Sequence, residues 1–295
     1  MRKIKEYLTT TAASRTLETI GAEIETQFVD SAGKPISLSR SQQMLEILSC
    51  EKWQIAERKG KMITALVDRN GHRLLYELGR HNIELAAAPT TVKDLPKILR
   101  DCLGQLYRAA ETVGAEPYFA PILPGEEDLL VIPDERDADW LRLDGREALR
   151  PLSRISSVQF TISVRTEEAV DILNRLGERI GRFLDDFPQD IIWKEYIANS
   201  RAGYLPDRYG GPPRFESLDE YCRLLARHRP VSKGRLSSLE RLSSTEIPLY
   251  LRSVWWHFRL KRYEKSLCVE IRPLARRTDR YWEERLEEIL TIIRP

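Results

Sequence analysis

Short segments far apart in this chain alternate apolar and polar residues with a period of two, and that alternation limits the fold more than any other feature. Side chains on a strand point alternately to its two faces. GAEIET therefore sets Glu23 and Glu25 on one face, with Ala22, Ile24 and Thr26 on the other. NIEL sets Asn82 and Glu84 opposite Ile83 and Leu85, and SVQFTIS sets Gln159, Thr161 and Ser163 opposite Val158, Phe160 and Ile162. CVEIRPL sets Glu270 and Arg272 opposite Val269 and Ile271. A sheet made of such strands has one face for a core and one face of carboxylate, amide and guanidinium groups. A solvated surface accounts for any one of these strands, since an antiparallel sheet tolerates a wet face. Together they carry more acceptors than such a surface needs. If the faces converge, Glu23, Glu25, Glu84 and Glu270 repel one another until protons or hard cations intervene. Mg²⁺ takes oxygen ligands and binds through carboxylates plus substrate phosphates. Arg272, Arg259 and an arginine-rich loop would then hold the anionic ends of a substrate.

Between these strands, periodicity predicts a strand over 20–29, a turn at SAGKP and a short helix over 38–49. The stretch from Trp53 to Leu78 alternates around an Asn70-Gly71 pair, a hairpin signal. A strand follows at 82–89. Residues 92–113 align Leu95, Ile98, Leu99, Cys102, Leu103 and Leu106 on one helical face, with Pro96 in the first turn. Residues 166–186 read as helix. Ser217 and Glu220 form a capping-box pattern opening a helix over 218–228. VWWHFRLKRY and LCVEIRPL read as adjacent strands, and 279–293 as a last helix. Hairpin signals outnumber crossovers, so the expected class is α+β with a largely antiparallel sheet. The polar stretches 124–139 and 200–216 read as long loops within one domain spanning 1–295.

Composition narrows the function. With 47 basic and 45 acidic residues among 295, the near-balance argues against a dedicated nucleic-acid or polybasic membrane binder. Cys50, Cys102, Cys222 and Cys268 are scattered, without metal-ligand spacing, and read as reduced thiols. No apolar run approaches the roughly 20 residues that span a bilayer. The expectation is a soluble cytoplasmic protein with no nucleic-acid or membrane partner, and an oligomer is allowed. His72, His81, His228 and His257 are dispersed and read as structural, with His81, beside the Glu84 strand, the one to test. Of Trp255 and Trp256, one is expected in the core and one facing the site.

GAEIET, ELGRHNIELAAAP, SSVQFTISV, NSRAGYLPDRYGGPPRFESLDEY, VWWHFRLKRY and LCVEIRPL occur in the order found in the glutamate–cysteine ligase family. The chain resembles that family over residues 18–280. The resemblance is to its second type, which includes plant γ-glutamylcysteine synthetases and bacterial carboxylate–amine ligases. It implies a glutamine synthetase- or guanido kinase-like catalytic sheet, curved into a funnel with helices on its outer face, that binds ATP and Mg²⁺. It also implies metal-ligand roles for Glu23, Glu25, Glu84 and Glu270, and more loosely for Glu77. Arg272 becomes a phosphate-side group. Arg259, in the tryptophan-and-arginine strand, and Arg201, in NSRAG, become ATP or substrate contacts. Where relatives carry histidine, this chain has Gln159, whose amide oxygen can ligate Mg²⁺ or bond a nucleotide but cannot titrate near neutrality.

The implied chemistry is amide formation. ATP phosphorylates a carboxylate, glutamate or a similar amino acid, and an amine attacks the acyl phosphate. Lids over 124–139 and 200–216, hinged at Gly203, Gly210 and Gly211, would exclude water. Arg208 and Arg214 flank the GGPP turn as either surface or site charges. A phosphotransferase on the same fold and a degenerate nucleotide-binding or assembly protein are the alternatives.

Overall fold

The structure, a computed structural model, describes residues 1–10, 15–202, 209–243, 246–251 and 253–294. Nine strands form its main sheet: β1 (Ile20–Val29), β2 (Trp53–Lys59), β3 (Met62–Asp68), β4 (Arg73–Tyr76), β5 (Asn82–Thr90), β6 (Glu116–Tyr118), β7 (Ser157–Ser163), β8 (Phe258–Tyr263) and β9 (Ser266–Ala275). Their order is β8-β9-β7-β1-β5-β4-β3-β2, with β6 also pairing β1, and every pairing is antiparallel. The α+β class expected from the alternation is the class observed. The β3–β4 hairpin turns where Asn70-Gly71 predicts. Asp68 accepts the N–H groups of Asn70 and His72 at 2.8 and 2.9 Å, and Gly71 takes a φ of 85° that favours glycine.

The helices that cover the apolar face are α1 (Arg2–Thr9), α2 (Leu38–Ser49), α3 (Leu95–Thr112), α5 (Ala169–Gly177), α7 (Leu218–Leu225) and α8 (Asp279–Ile293). Ser37 caps α2 and Ser217 caps α7, each accepting a backbone N–H three residues on. Their apolar stripes meet Ile24, Ile83, Leu85, Phe160, Ile162, Val269 and Ile271 in one core. Each such side chain, fully buried, stabilises the fold by roughly 1.5–3 kcal/mol. That burial fixes which face of every strand points inward, and so leaves the polar faces on the other side together.

On that side, α4 (Glu135–Asp144) and α6 (Gln189–Asn199) bring Trp140, Tyr196 and Ile197 into a second apolar cluster with Leu149, Leu152 and Ile155. The sequence reading differs from the structure here. The 124–139 stretch is loop only up to Asp134, which caps α4 by accepting the N–H of Asp137. The 166–186 helix is two, Ala169–Gly177 and Ile180–Leu184, broken after Gly177. In the 200–216 loop, Tyr209–Gly210 pairs in parallel with Trp255–Trp256, which therefore leave the main sheet at His257. Gly203 and Arg208 lie outside the described residues. Gly210 has a φ of 98°, and a Cβ on Gly211 would come within 3.3 Å of Ile180. Arg214 is an exposed partner of Glu178. All four cysteines are free. Among the described residues no helix is long and apolar enough to cross a membrane.

Candidate active site

Register decides which polar residues meet. Glu25 lies directly across from Glu84 on β5, and Glu23 across from Gln159 on β7. Thr161 of β7 faces Glu270 of β9, which in turn faces Arg259 of β8. Leu75 faces Glu84, and with two-residue alternation this directs Glu77 to the same side. Gly79, just beyond, has no room for a side chain: a Cβ would sit 2.5 Å from the Ser153 carbonyl oxygen and 2.9 Å from the His81 ring. Glu23, Glu25, Glu77, Glu84, Gln159, Arg259, Glu270 and Arg272 all line one cavity of about 1000 Å³.

At the β1–β5 end the floor is acidic. Carboxylate oxygens of Glu25, Glu77 and Glu84 all lie within 4.8 Å of one another. Burial raises the proton affinity of Glu25 well above the usual carboxylate range, and Glu77 adds to it; hydrogen bonds from Ser157 oppose the shift. Burial likewise raises Glu84, with Glu23, Glu77 and Glu25 contributing. The Ser157 N–H donates to Glu25 at 2.9 Å and its hydroxyl at 3.3 Å. Neither Glu25 nor Glu84 has an ion pair among the described residues. Gln159 turns its amide N–H toward Glu25 at 3.5 Å, while its buried Oε1 has no hydrogen-bond partner among the described residues. Three carboxylates with oxygens this close together are the hard oxygen donors that Mg²⁺ takes.

At the β8–β9 end the floor is cationic. Glu270, almost fully buried, receives Arg259 through Nε, Lys261 at 2.9 Å and Arg272 at 3.2 Å. Burial alone would raise its proton affinity, but Arg259, Lys261 and Arg272 together hold it well below the usual range. Lys261 also reaches Glu23 at 3.1 Å. Burial works against its charge too, yet Glu23 and Glu270 raise its proton affinity above the ordinary lysine value. Arg259 is fixed from behind, donating to the carbonyls of Leu251 and Val254 at 3.1 and 2.9 Å.

The positive charge next to Glu23 and Glu270 is therefore the protein's own. The sequence alone groups all the acids around Mg²⁺; the structure gathers Glu25, Glu77 and Glu84, sets Glu270 among cations, and leaves Glu23 between them, paired with Lys261 yet near enough to raise Glu84. Lys261 is the residue that grouping missed. Its signal was present, because two-residue alternation along FRLKRY puts Lys261 on the face of Arg259. Arg201 does not join the others: it is exposed and outside the cavity lining, with its backbone N–H on Asp144 at 2.7 Å. His81 is a core residue, bonded to Gln27 at 2.9 Å, and burial lowers its pKa to about 3. Trp256 is fully buried, whereas Trp255 lines the cavity and packs on Trp140 at 4.7 Å and Trp193 at 6.0 Å. This aromatic wall stands over the polar floor.

This open antiparallel sheet, with one face in the core and a polar face toward the cavity, has a counterpart among solved structures. Among solved structures, the chain is similar to glutamate–cysteine ligase from Francisella tularensis in complex with AMP, at 11% identity and a TM-score of 0.51, covering 95% of this chain and 67% of that one. It also matches, at a looser TM-score of 0.42 each, a bifunctional glutathione synthetase from Pasteurella multocida and a glutamine synthase homolog. The identities are 10% and 11%; the alignments cover 93% and 99% of this chain, but only 38% and 58% of those proteins. No protein-family model matches the chain, and no curated protein is similar to it in sequence.

Proposed function

We propose that this chain is an ATP- and Mg²⁺-dependent carboxylate–amine ligase of the second glutamate–cysteine ligase type, joining an amino-acid carboxylate, glutamate or a similar one, to an amine. The observation that carries this reading is the division of one cavity floor into a largely buried set of oxygen donors and a half-buried to buried set of cations. Glu25, Glu77, Glu84 and the Gln159 amide oxygen would hold Mg²⁺. When bound, the ion neutralises phosphate charge and orients the phosphoryl group for transfer.

The remaining work falls to residues of the chain. Arg259, Lys261 and Arg272 outnumber the two carboxylates they touch, so the cluster retains positive charge for a substrate carboxylate or a phosphate. Arg272 has only one of its donors committed to a carboxylate, which leaves the rest of its planar fork for the substrate. Trp140, Trp193 and Trp255 form a dry wall beside the place of reaction, and water kept away from an acyl phosphate cannot hydrolyse it.

The test is ADP release from Mg-ATP, screened across amino acids and amines, with products identified by mass spectrometry. The expected result is ADP, phosphate and an amide in equal amounts. A phosphorylated amine or guanidine without condensation would make the protein a phosphotransferase. Failure to bind Mg-nucleotide at all would remove the enzymatic reading.

A further inference from the structure

His257 lies where β8 begins, between the aromatic wall and the cation cluster. It lines the cavity on the same side as Arg259 and Lys261, and its carbonyl accepts the N–H of Arg272 at 2.9 Å. Its ring is clamped edge-on by Phe187 and Tyr209, with centroids 5.9 and 5.0 Å away. Nε2 is buried 3.3 Å from Asp190 Oδ1, a contact short of a well-aligned hydrogen bond. Asp190 is itself held by the Tyr209 hydroxyl at 2.8 Å and by Lys194 at 2.6 Å. With Nε2 turned to Asp190, Nδ1 is the nitrogen left for a molecule in the cavity. A carboxylate behind one nitrogen favours the proton there and a lone pair on the other.

We propose that His257 is the catalytic base for the amine substrate, with Asp190 as its positioning residue. The inference rests on the ligase reading. As the amine nitrogen attacks the acyl carbon, a C–N bond forms and the C–O bond to phosphate breaks. Phosphate departs with the electron pair, and the proton lost from nitrogen passes to Nδ1 of His257. The groups facing the imidazole suit this role. Burial lowers its pKa and keeps it neutral as an acceptor, Asp190 opposes that shift, and Arg272 and Lys194 reinforce it. Burial would raise Asp190, but His257, Lys194 and Tyr209 bring its pKa down to about 2, so it stays a carboxylate throughout. The sequence alone gives all four histidines as structural. The structure makes this one different, because it alone combines a cavity position with a carboxylate partner among the described histidines.

The test compares two acceptors with glutamate and Mg-ATP. Hydroxylamine is unprotonated near neutral pH and its adduct is acidic enough to lose its proton to water, whereas methylamine is mostly the cation and depends on a base. In His257→Gln the ratio of methylamide to hydroxamate formation should fall about 100-fold, the lower range for losing a general base. Asp190→Asn should lower the same ratio by a smaller factor while leaving the histidine in place, which separates mispositioning from misfolding. An unchanged ratio in His257→Gln, with both rates falling together or neither falling, would overturn the proposal. If the wild-type protein forms neither hydroxamate nor amide, the ligase reading itself is what fails, and this inference falls with it.

Discussion

Glu84 and Glu270 are both buried carboxylates on the same face of one sheet, at 6% and 1% exposure, yet their surroundings push them in opposite directions. Burial and three neighbouring acids raise the proton affinity of Glu84; Arg259, Lys261 and Arg272 lower that of Glu270 against its burial. The difference shows that a row of acids along adjacent strands need not share one role. Those whose neighbours are cations complete an internal salt lattice. Those whose neighbours are acids hold a charge deficit that something from solution can fill.

The largest effect should come from Glu270→Gln. It leaves three cations facing one another in a buried place, at an expected loss of about 3–5 kcal/mol. Urea unfolding at neutral pH checks it, and a loss below about 1 kcal/mol would break the comparison. Because the folded-state pKa of Glu270 is depressed, its contribution is present above the ordinary carboxylate range and is lost as pH falls through the folded value.

At the acidic end the sign reverses. Glu25→Gln removes one like charge and keeps the shape, so the metal-free protein should gain stability at pH 8, on the order of 1 kcal/mol as for a typical single substitution. The rise in Tm on adding Mg-ATP should shrink at the same time, and turnover should collapse. An unchanged Mg-ATP shift would mean that Glu25 is not a ligand.

The same end predicts a pH slope. A carboxyl whose folded-state pKa is raised favours the folded state in acid, and that advantage falls away as pH rises from the ordinary carboxylate range through the raised value. Glu25→Gln should therefore flatten the decline in metal-free stability as pH rises above the ordinary carboxylate range. Thermal scans of both proteins from that range upward check it; parallel curves would place the unfavourable charge elsewhere.

Glu23→Gln should do least, within about 1 kcal/mol. The Glu23 side chain is 28% exposed, and Lys261 keeps Glu270 when Glu23 is neutralised. A loss as large as that of Glu270→Gln would merge the two regions into one network.

The faces of the sheet could be read directly from alternation, because each apolar residue that enters the core commits its neighbours to the other side. Register could not. Whether Glu25 meets Glu84 or Lys261 meets Glu23 depends on how strands far apart in the chain slide against one another, and no local pattern encodes that. Helix α6 escaped for a different reason. It buries Gln189 and Asp190 along with Tyr196 and Ile197, and leaves Ile191 72% exposed, so no clean apolar stripe marks it. His257 was lost with it, since its partner Asp190 lies on that unrecognised helix.

The strand order has a consequence in time as well as space. Strands β1 to β5 are contiguous within residues 20–90 and can pair as soon as they leave the ribosome, whereas β7 and β9 are made much later. Until β7 is made and docks, one side of β1 is an open edge, the kind of template on which nascent chains join and aggregate. Glu23 lies within the stretch that will pair with β7, with Glu25 just beyond it. Two unfinished chains that approached along this edge would bring carboxylate against carboxylate. These charges, of which Glu25 disfavours the completed metal-free sheet, thus guard the incomplete one, and neutralising them should increase aggregation during refolding even where, as at Glu25, it stabilises the final fold.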